Sequence, residues 1–393
     1  MESIRDKVAI VGMGCTKFGE RWDTSADDLI IEAALEAYED AGIEQKDIQA
    51  AWVGTMWAGD TGRVLAEPLK LQFIPVTRVE NMCATGSDAM RNAAYAVAAG
   101  VYDIVLALGI EKLKDTGWMG LGDIPFPSTS RGIFGSQGFS GPSAFALLAT
   151  AYFAKYGLSP QEGKRMIGMI SVKSHRNGAK HPKAHLRREV TLEQVLNAPI
   201  IAWPLGLFDC CGVTDGAASA ILVRADMAKK FRPDPVYIKA LQISIGHNQG
   251  FARSDFEYTS VYETVHAGKA AYSEAGIKNP REEISMAQVH DCFSITEAVN
   301  MEDLEFSPRG RVKEDVDSGF FELTGGLPCQ TDGGLKSFGH PIGATGLRMM
   351  YEVYKQLQGK CGERQLKNPK LGLTHNLGGF PASATVSCCI AGL

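Results

Sequence analysis

Short apolar runs alternate along this chain with segments whose apolar residues recur every three to four positions, the two periods of strand and helix. Lys7 to Gly14 is an apolar run that enters a Gly-containing turn and predicts the first strand. From Ser25 to Ala41, Leu29, Ile30, Ala33, Ala34 and Ala37 fall on one face, which predicts a helix capped by Ser25 and stopped at Gly42. Ile48 to Gly54 and Phe73 to Val79 predict strands, and Tyr102 to Gly109 reads as a continuous apolar strand of the buried parallel kind. An Ala-rich helix ending at Gly100 lies between the last two. Gly-, Pro- and Ser-rich loops then give way to helices over Ala144 to Tyr156 and Pro160 to Ser174, and Asp209 to Val223 closes the first half with the turn Asp215-Gly216 and an apolar strand.

The second half repeats this plan. Val236 to Ile245 predicts a strand, Thr264 to Ala275 a helix ending at Gly276, Ile284 to Val289 a strand, and Ile295 to Met301 the start of a helix. Gly343-Ala-Thr-Gly-Leu-Arg then leads into a helix over Leu347 to Leu357, as Cys83-Ala-Thr-Gly-Ser-Asp leads into the helix of the first half. An internal repeat of about half the chain explains both. Two alternating units with parallel strands predict an α/β layered fold with pseudo-twofold symmetry, in which the equivalent strand-to-helix turns face each other across one pocket. The predicted organisation is an N-terminal half over 1–111 and 205–232, an inserted loop-rich cap region over 112–204, and a C-terminal half over 233–393.

With 393 residues the chain can bury an extensive core, and a net charge of -5 gives no sign of a nucleic-acid partner. No apolar run approaches the ~20 residues of a membrane span, and the N-terminus leads straight into a strand, so a soluble, cytoplasmic protein is expected. Nine cysteines without paired C-x-x-C spacing argue against a disulfide framework and an intrinsic zinc site. Cys210-Cys211 and Cys388-Cys389 read as space-filling residues of buried strands. Lys7 to Gly14 does not complete G-x-G-x-x-G, because Phe18 follows Lys17 where the third Gly would be needed.

Cys83 stands where a strand hands over to a helix, and the unpaired N–H groups of the helix start are expected to favour its thiolate. Ala84, Thr85, Gly86 and Ser87 leave room for a substrate beside it, so Cys83 is the candidate nucleophile, and His340 on the matching turn would meet it across the pocket. The basic stretch Lys173 to Arg188 could be a solvated face or could hold the phosphates of a large anionic cofactor.

Asn81-Met-Cys-Ala-Thr-Gly-Ser, His290-Asp-Cys-Phe293, Gly339-His-Pro-Ile-Gly-Ala-Thr-Gly346 and His375-Asn-Leu-Gly-Gly379, in this order over the whole length, resemble the thiolase superfamily, in its sterol-carrier-protein-2 type branch. The resemblance implies a duplicated βαβαβ fold in α-β-α-β-α layers. It also implies an acyltransferase that cleaves a 3-oxoacyl-CoA with coenzyme A, or condenses two acyl-CoA molecules, through an acyl-Cys83. His340 would take the thiol proton, and His290 would join it around the enolate oxygen. Conventional thiolases carry a second thiol in a late C-x-G motif. Asn376-Leu377-Gly378 departs from that pattern, so the resemblance places the acid/base thiol at Cys292. The backbone N–H groups of Cys83 and Gly378 would hold the oxyanion.

Coenzyme A would enter as substrate, with Arg176, Lys180, Lys183 and Arg187 as candidate contacts for its phosphates and no metal bound by this chain. The loops Trp57 to Glu67 and Gly117 to Gly141, with Trp57, Trp118, Phe126, Phe134 and Phe139, would suit a bulky aromatic acyl group such as that of 2-benzoylsuccinyl-CoA, or would simply pack. A homodimeric core is implied, and similarity to bacterial and archaeal thiolases adds a small zinc-ribbon and OB-fold companion subunit. Alternatives are a synthetic acyltransferase that forms acetoacetyl-CoA or acylates an aromatic ring, a non-catalytic acyl-CoA-binding scaffold, and a retro-aldolase. The four thiol and imidazole groups disfavour the scaffold, and the presence of Cys83 disfavours the retro-aldolase.

Overall fold

The computed structural model describes residues 3–116, 140–247 and 256–393. The first half contributes β1 (Val8–Cys15), α1 (Ala26–Ala41), β2 (Ala50–Gly54), α2 (Arg63–Leu69), β3 (Val76–Val79), α3 (Thr85–Ala98) and β4 (Ile104–Glu111). Helices α4 (Gly141–Lys155), α5 (Pro160–Ala179) and α6 (Leu192–Leu196) follow, then a small hairpin of β5 (Ile200–Ala202) and β6 (Leu205–Gly206), and β7 (Gly216–Arg224). The second half runs through β8 (Val236–Ile245), α7 (Tyr262–Ala275), α8 (Pro280–Glu283), β9 (Met286–Gln288), α9 (Ser294–Asp303), α10 (Val312–Asp317), α11 (Gly334–Ser337), α12 (Thr345–Leu357), β10 (Leu371–Phe380) and β11 (Ser383–Gly392).

The strands lie in the order β3-β2-β4-β7-β1-β8-β11-β10-β9. Read outward from the middle, β1-β7-β4-β2-β3 is answered by β8-β11-β10-β9, so the halves are two copies of one plan and the second lacks the outermost strand. The halves meet where β1 and β8 pair at Ala9 with Tyr237 and Ile10 with Val236. Helices α3 and α12 pack on each other between the half-sheets, α1 covers the far side of the first half and α7 that of the second. This is the expected α-β-α-β-α layering.

Local chemistry explains the elements. Ser25 and Asp28 satisfy each other's backbone N–H in a capping box at the start of α1, and Gly42 ends it in the left-handed region at φ 67°. Gly12 and Gly14 are pressed on α1, where a side chain at Gly12 would come 2.6 Å from Ala41 Cβ. Those glycines let helix and sheet approach, which accounts for a turn that resembles a nucleotide site without being one.

Three predictions are corrected. The run Phe73 to Val79 becomes strand only from Val76, because Phe73 turns out at φ 63° and is 95 % exposed. Helix α5 extends past Ser174 to Ala179 and takes in the start of the basic stretch. Cys210 and Cys211 are not in a strand; Cys388 and Cys389 are buried in β11 as expected. Among the described residues no helix is long and apolar enough to cross a membrane.

Candidate active site

The turn into α3 is built by its own polar side chains. Asn81 N–H donates to Thr85 Oγ1 at 2.7 Å, Asn81 Nδ2 donates to Asp88 Oδ2 at 2.8 Å, and Ala84 N–H returns to the Asn81 carbonyl. Met82 is held at φ 50°, a conformation that costs a side-chain-bearing residue about 1–3 kcal/mol and here presents Cys83 at a sharp bend. The opposing turn enters α12, and the two touch backbone to backbone. A Cβ on Gly86 would lie 2.6 Å from the Gly343 carbonyl, and one on Gly346 would strike Ser87. Only glycine permits this approach, and it is what brings together residues 257 positions apart.

His340 Nε2 lies 3.1 Å from Cys83 Sγ, and His340 Nδ1 lies 2.7 Å from Thr345 Oγ1. The Thr345 hydroxyl proton is donated to the Pro341 carbonyl at 2.7 Å, so Thr345 Oγ1 accepts from His340 Nδ1–H. That fixes the tautomer, and Nε2 faces the thiol as a lone pair. Burial, with the Arg348 guanidinium nearby, lowers the His340 pKa to about 3, which leaves the ring neutral at physiological pH with its Nε2 lone pair free.

The expectation that the helix start would hold Cys83 as thiolate is overturned. Burial and the carboxylates of Glu80 and Glu111 push the thiol up to about 12, and the N–H groups of Cys83 and Gly379 offset this only in part. At rest the pair is a neutral thiol on a neutral imidazole. Leu113 and Ile342 pack with Cys83, and Met56, Trp57 and Val213 complete the apolar wall.

His290 and Cys292 lie on the loop between β9 and α9, both buried. The His290 ring meets that of His340 edge to face at 5.2 Å between centroids. His290 N–H donates to His375 Nδ1 at 3.4 Å, and the resulting tautomer lets His375 Nε2–H donate to Thr264 Oγ1 at 3.0 Å. Burial and neighbouring His340 lower the His290 pKa well below the usual imidazole value. Cys292 is pushed well up by burial and by the thiols of Cys211 and Cys83. Thus Cys292 is a protonated thiol close enough to Cys83 for the two to act on each other, with its Sγ 3.9 Å from Thr296 Oγ1.

Gly378 sits over Cys83: a Cβ there would come 3.0 Å from Cys83 N and would strike the Asn81 carbonyl. The N–H that reaches the Cys83 sulfur belongs to Gly379. Asn376, at the position of the missing C-x-G thiol, is buried and accepts from Ser87 Oγ at 2.7 Å, so it joins the halves beneath the site.

The candidate phosphate contacts have different surroundings. Lys183 Nζ pairs with Glu36 at 2.6 Å and also donates to the Cys15 carbonyl, while Arg176 pairs with Glu322 at 3.1 Å. Lys180 is half-buried and Arg187 exposed. Lys173, from the same stretch, is buried on Glu297. Trp57 is on the wall beside Cys83, whereas Trp118, Phe126, Phe134 and Phe139 lie outside the described residues.

Several site residues carry no signal that isolates them in the sequence. Glu111, at the end of β4, accepts from Thr55 Oγ1 at 3.1 Å, from the N–H groups of Met56, Trp57 and Ala58 at 2.9–3.1 Å, and from Gly343 N–H at 3.2 Å. One carboxylate thereby ties the Trp57 wall to the His340 turn. Cys211 N–H donates to the Cys292 carbonyl at 2.8 Å, which sets a third thiol beside the site. Thr345 could have been found from the Ala-Thr-Gly that both turns share.

Comparison with known proteins agrees with this geometry. The family model described as the thiolase N-terminal domain matches residues 8–226, and the one described as thiolase C-terminal domain-like matches residues 244–390. The chain is 39 % identical over 387 residues to an acetyl-CoA acetyltransferase of Methanothermobacter thermautotrophicus, covering 96 % of this chain and 98 % of the relative. It is 31 % identical over 380 residues to the benzoylsuccinyl-CoA thiolase subunit BbsB of Thauera aromatica, covering 95 % of each. Among solved structures, an Ltp2-ChsH2(DUF35) aldolase superposes with a TM-score of 0.86 at 26 % identity, covering 100 % of this chain and 99 % of that one.

Proposed function

The chain belongs to the thiolase family and is an acyltransferase, and from that premise we propose that it exchanges an acyl group between a 3-oxoacyl-CoA and coenzyme A through an acyl-Cys83. The observation that carries this reading is the 3.1 Å contact of the Cys83 thiol with the unprotonated Nε2 of His340.

Cys83 Sγ attacks the 3-oxo carbon while its proton passes to His340 Nε2, and the C2–C3 bond breaks to leave an acyl-cysteine and an acetyl-CoA enolate. Cys292 protonates the enolate carbon, with His290 and His340 around its oxygen. The thiol of coenzyme A then gives its proton to the Cys292 thiolate and attacks the acyl-cysteine, the Cys83 sulfur leaves and takes back the proton from His340, and the shortened acyl-CoA is released. The N–H groups of Cys83 and Gly378 would stabilise the negative oxygen of each tetrahedral intermediate, where one such donor is worth about 3 kcal/mol. Condensation of two acyl-CoA molecules uses the same groups in reverse.

For the acyl group we favour acetyl. Met56, Trp57, Leu113, Val213 and Ile342 close around the sulfur, and similarity to the archaeal acetyl-CoA acetyltransferase spans the whole chain. The similarity to BbsB, with Trp57 on the wall, favours a bulky aromatic group such as the benzoyl group of 2-benzoylsuccinyl-CoA as the second reading. The aldolase assembly and the BbsB subunit support a companion chain. The sheet ends at β3, an edge suited to pairing with a second copy in a homodimer. Arg176, Lys180, Lys183 and Arg187 remain the candidate contacts for the phosphates of coenzyme A.

Thiolysis of acetoacetyl-CoA and of an aromatic 3-oxoacyl-CoA, each with coenzyme A, tests the proposal by chromatography of the products. Acetyl-CoA formed faster from acetoacetyl-CoA supports the acetyl reading, and preference for the aromatic ester replaces it with the second. Cleavage of a 3-hydroxyacyl-CoA, offered in parallel, to a carbonyl product and a shortened acyl-CoA without consumption of coenzyme A would favour the aldolase chemistry.

A further inference from the structure

Cys83 Sγ, a ring nitrogen of His290 and a ring nitrogen of His340 all lie within 4.8 Å of one another, and all three residues are buried. Among the described residues His290 Nδ1 has no hydrogen-bond partner, an unfavourable state for a buried polar atom. A buried donor set of one soft sulfur and two imidazoles matches a particular class of ligand. We propose that this cluster reversibly binds a borderline-soft divalent cation, Zn2+ or Cd2+, and that the bound ion blocks the nucleophile.

The dimensions fit. Tetrahedral zinc at about 2.3 Å from sulfur and about 2.0–2.1 Å from nitrogen needs ligand atoms about 3.3–3.6 Å apart. The cluster spans from 3.1 Å, between Cys83 and His340, to no more than 4.8 Å, so side-chain shifts of about 1 Å complete it. The imidazoles need lose no proton. His340 already presents the Nε2 lone pair, and its Nδ1–H on Thr345 is the outer hydrogen bond by which metal-bound histidines are held.

Cys83 exchanges its S–H bond for an S–metal bond and releases one proton to solvent: enzyme–SH plus M2+ gives enzyme–S–M+ plus H+. Three protein ligands leave a fourth position for water, the open arrangement rather than the closed structural one. Among neighbouring charges Arg348 opposes the ion, and Glu80 and Glu111, which act on Cys83, favour it. Oxygen-seeking Mg2+ and Ca2+ find no carboxylate among these three ligands and are excluded.

The test requires no substrate, so it can succeed or fail independently of the acyl-transfer reading. Chelator-stripped, full-length protein is titrated anaerobically with Co2+, followed by thiolate-to-cobalt charge transfer and tetrahedral d–d absorption. The expected result is one site per chain with both bands, displaced by Zn2+ but not Mg2+. Charge transfer should be lost in Cys83→Ser and the d–d intensity altered in His290→Gln, with circular dichroism to establish that each is folded. In parallel, Zn2+ at ten times its dissociation constant should slow iodoacetamide alkylation of Cys83 about tenfold, because only about one thiol in eleven remains metal-free. Charge transfer unchanged in Cys83→Ser, or alkylation of Cys83 unaffected by Zn2+, would overturn the proposal.

Discussion

Replacing Thr345 with valine removes one oxygen and leaves the turn nearly isosteric. Thr345 is fully buried, and its Oγ1 is the acceptor for His340 Nδ1–H at 2.7 Å. In Thr345→Val this N–H either stays buried without a partner, at about 1–3 kcal/mol, or moves to Nε2. In the second case the ring donates toward Cys83 and cannot accept its proton. Both routes add the same kind of cost to the reactive tautomer, and about 1.4 kcal/mol per factor of ten converts it to a loss of about 5- to 150-fold in acylation rate. Thr345 stands behind the imidazole, so KM for the thioester should not move, and Thr345→Ser should restore the rate. Quenched single-turnover acylation with acetoacetyl-CoA in the absence of coenzyme A, read by intact-protein mass, measures the step itself. Acylation of Thr345→Val within twofold of wild type, with His340→Ala inactive, would refute the assigned tautomer.

Other consequences follow from the same geometry. Cys292→Ser should still form the acyl-enzyme but slow exchange of the α-proton of acetyl-CoA, followed by NMR in D2O, by about 10²–10⁴-fold, the usual worth of a positioned acid/base; unchanged exchange removes Cys292 from the mechanism. Gly378→Ala introduces a methyl group against the Asn81 carbonyl and 3.0 Å from Cys83 N, and should lower acylation by about 10²–10³-fold, as loss of an oxyanion donor does, with a folded circular dichroism spectrum. The fold should be acid-labile. His175, His181, His185, His290, His340 and His375 are lowered by burial, His175 to about 4 and His181, His340 and His375 to about 3. Between those values and about 6.5 the unfolded chain binds protons that the folded one refuses, so stability falls with pH by about 1.4 kcal/mol per unit for each histidine. Glu111, Glu263, Asp291 and Asp303 are raised by burial and act in the opposite direction, but are outnumbered. The thermal midpoint should therefore decline below pH 6; a midpoint that holds or rises from pH 6 to 4.5 contradicts the neutral buried histidines.

The backbone plan was legible where chemistry is local. Ser25, the apolar face from Leu29 to Ala37 and Gly42 announce α1, and the repeated Ala-Thr-Gly turns announce both the duplication and the meeting of Cys83 with His340. Contacts made only by the completed fold were not legible. The thiol pKa depends on burial and on Glu80 and Glu111, so the helix start, visible in the sequence, predicted the wrong direction. Cys210-Cys211 has a strand filler's composition, yet the chain there runs beside Cys292. Lys173, His175 and His181 look like an exposed basic face but are buried, because α5 carries the first two inward and Glu297 pairs with Lys173. The partners of Glu111 are set by the junction of the two halves, which no single segment encodes.

The central claim is that Cys83 is acylated with His340 as its base. Incubating the full-length protein with acetoacetyl-CoA, without coenzyme A, and weighing it intact before peptide mapping tests it most directly. The account predicts one acetyl group on Cys83, discharged by added coenzyme A, absent from Cys83→Ala and strongly slowed in His340→Ala. An acetyl group on another residue, or turnover by Cys83→Ala, would contradict it.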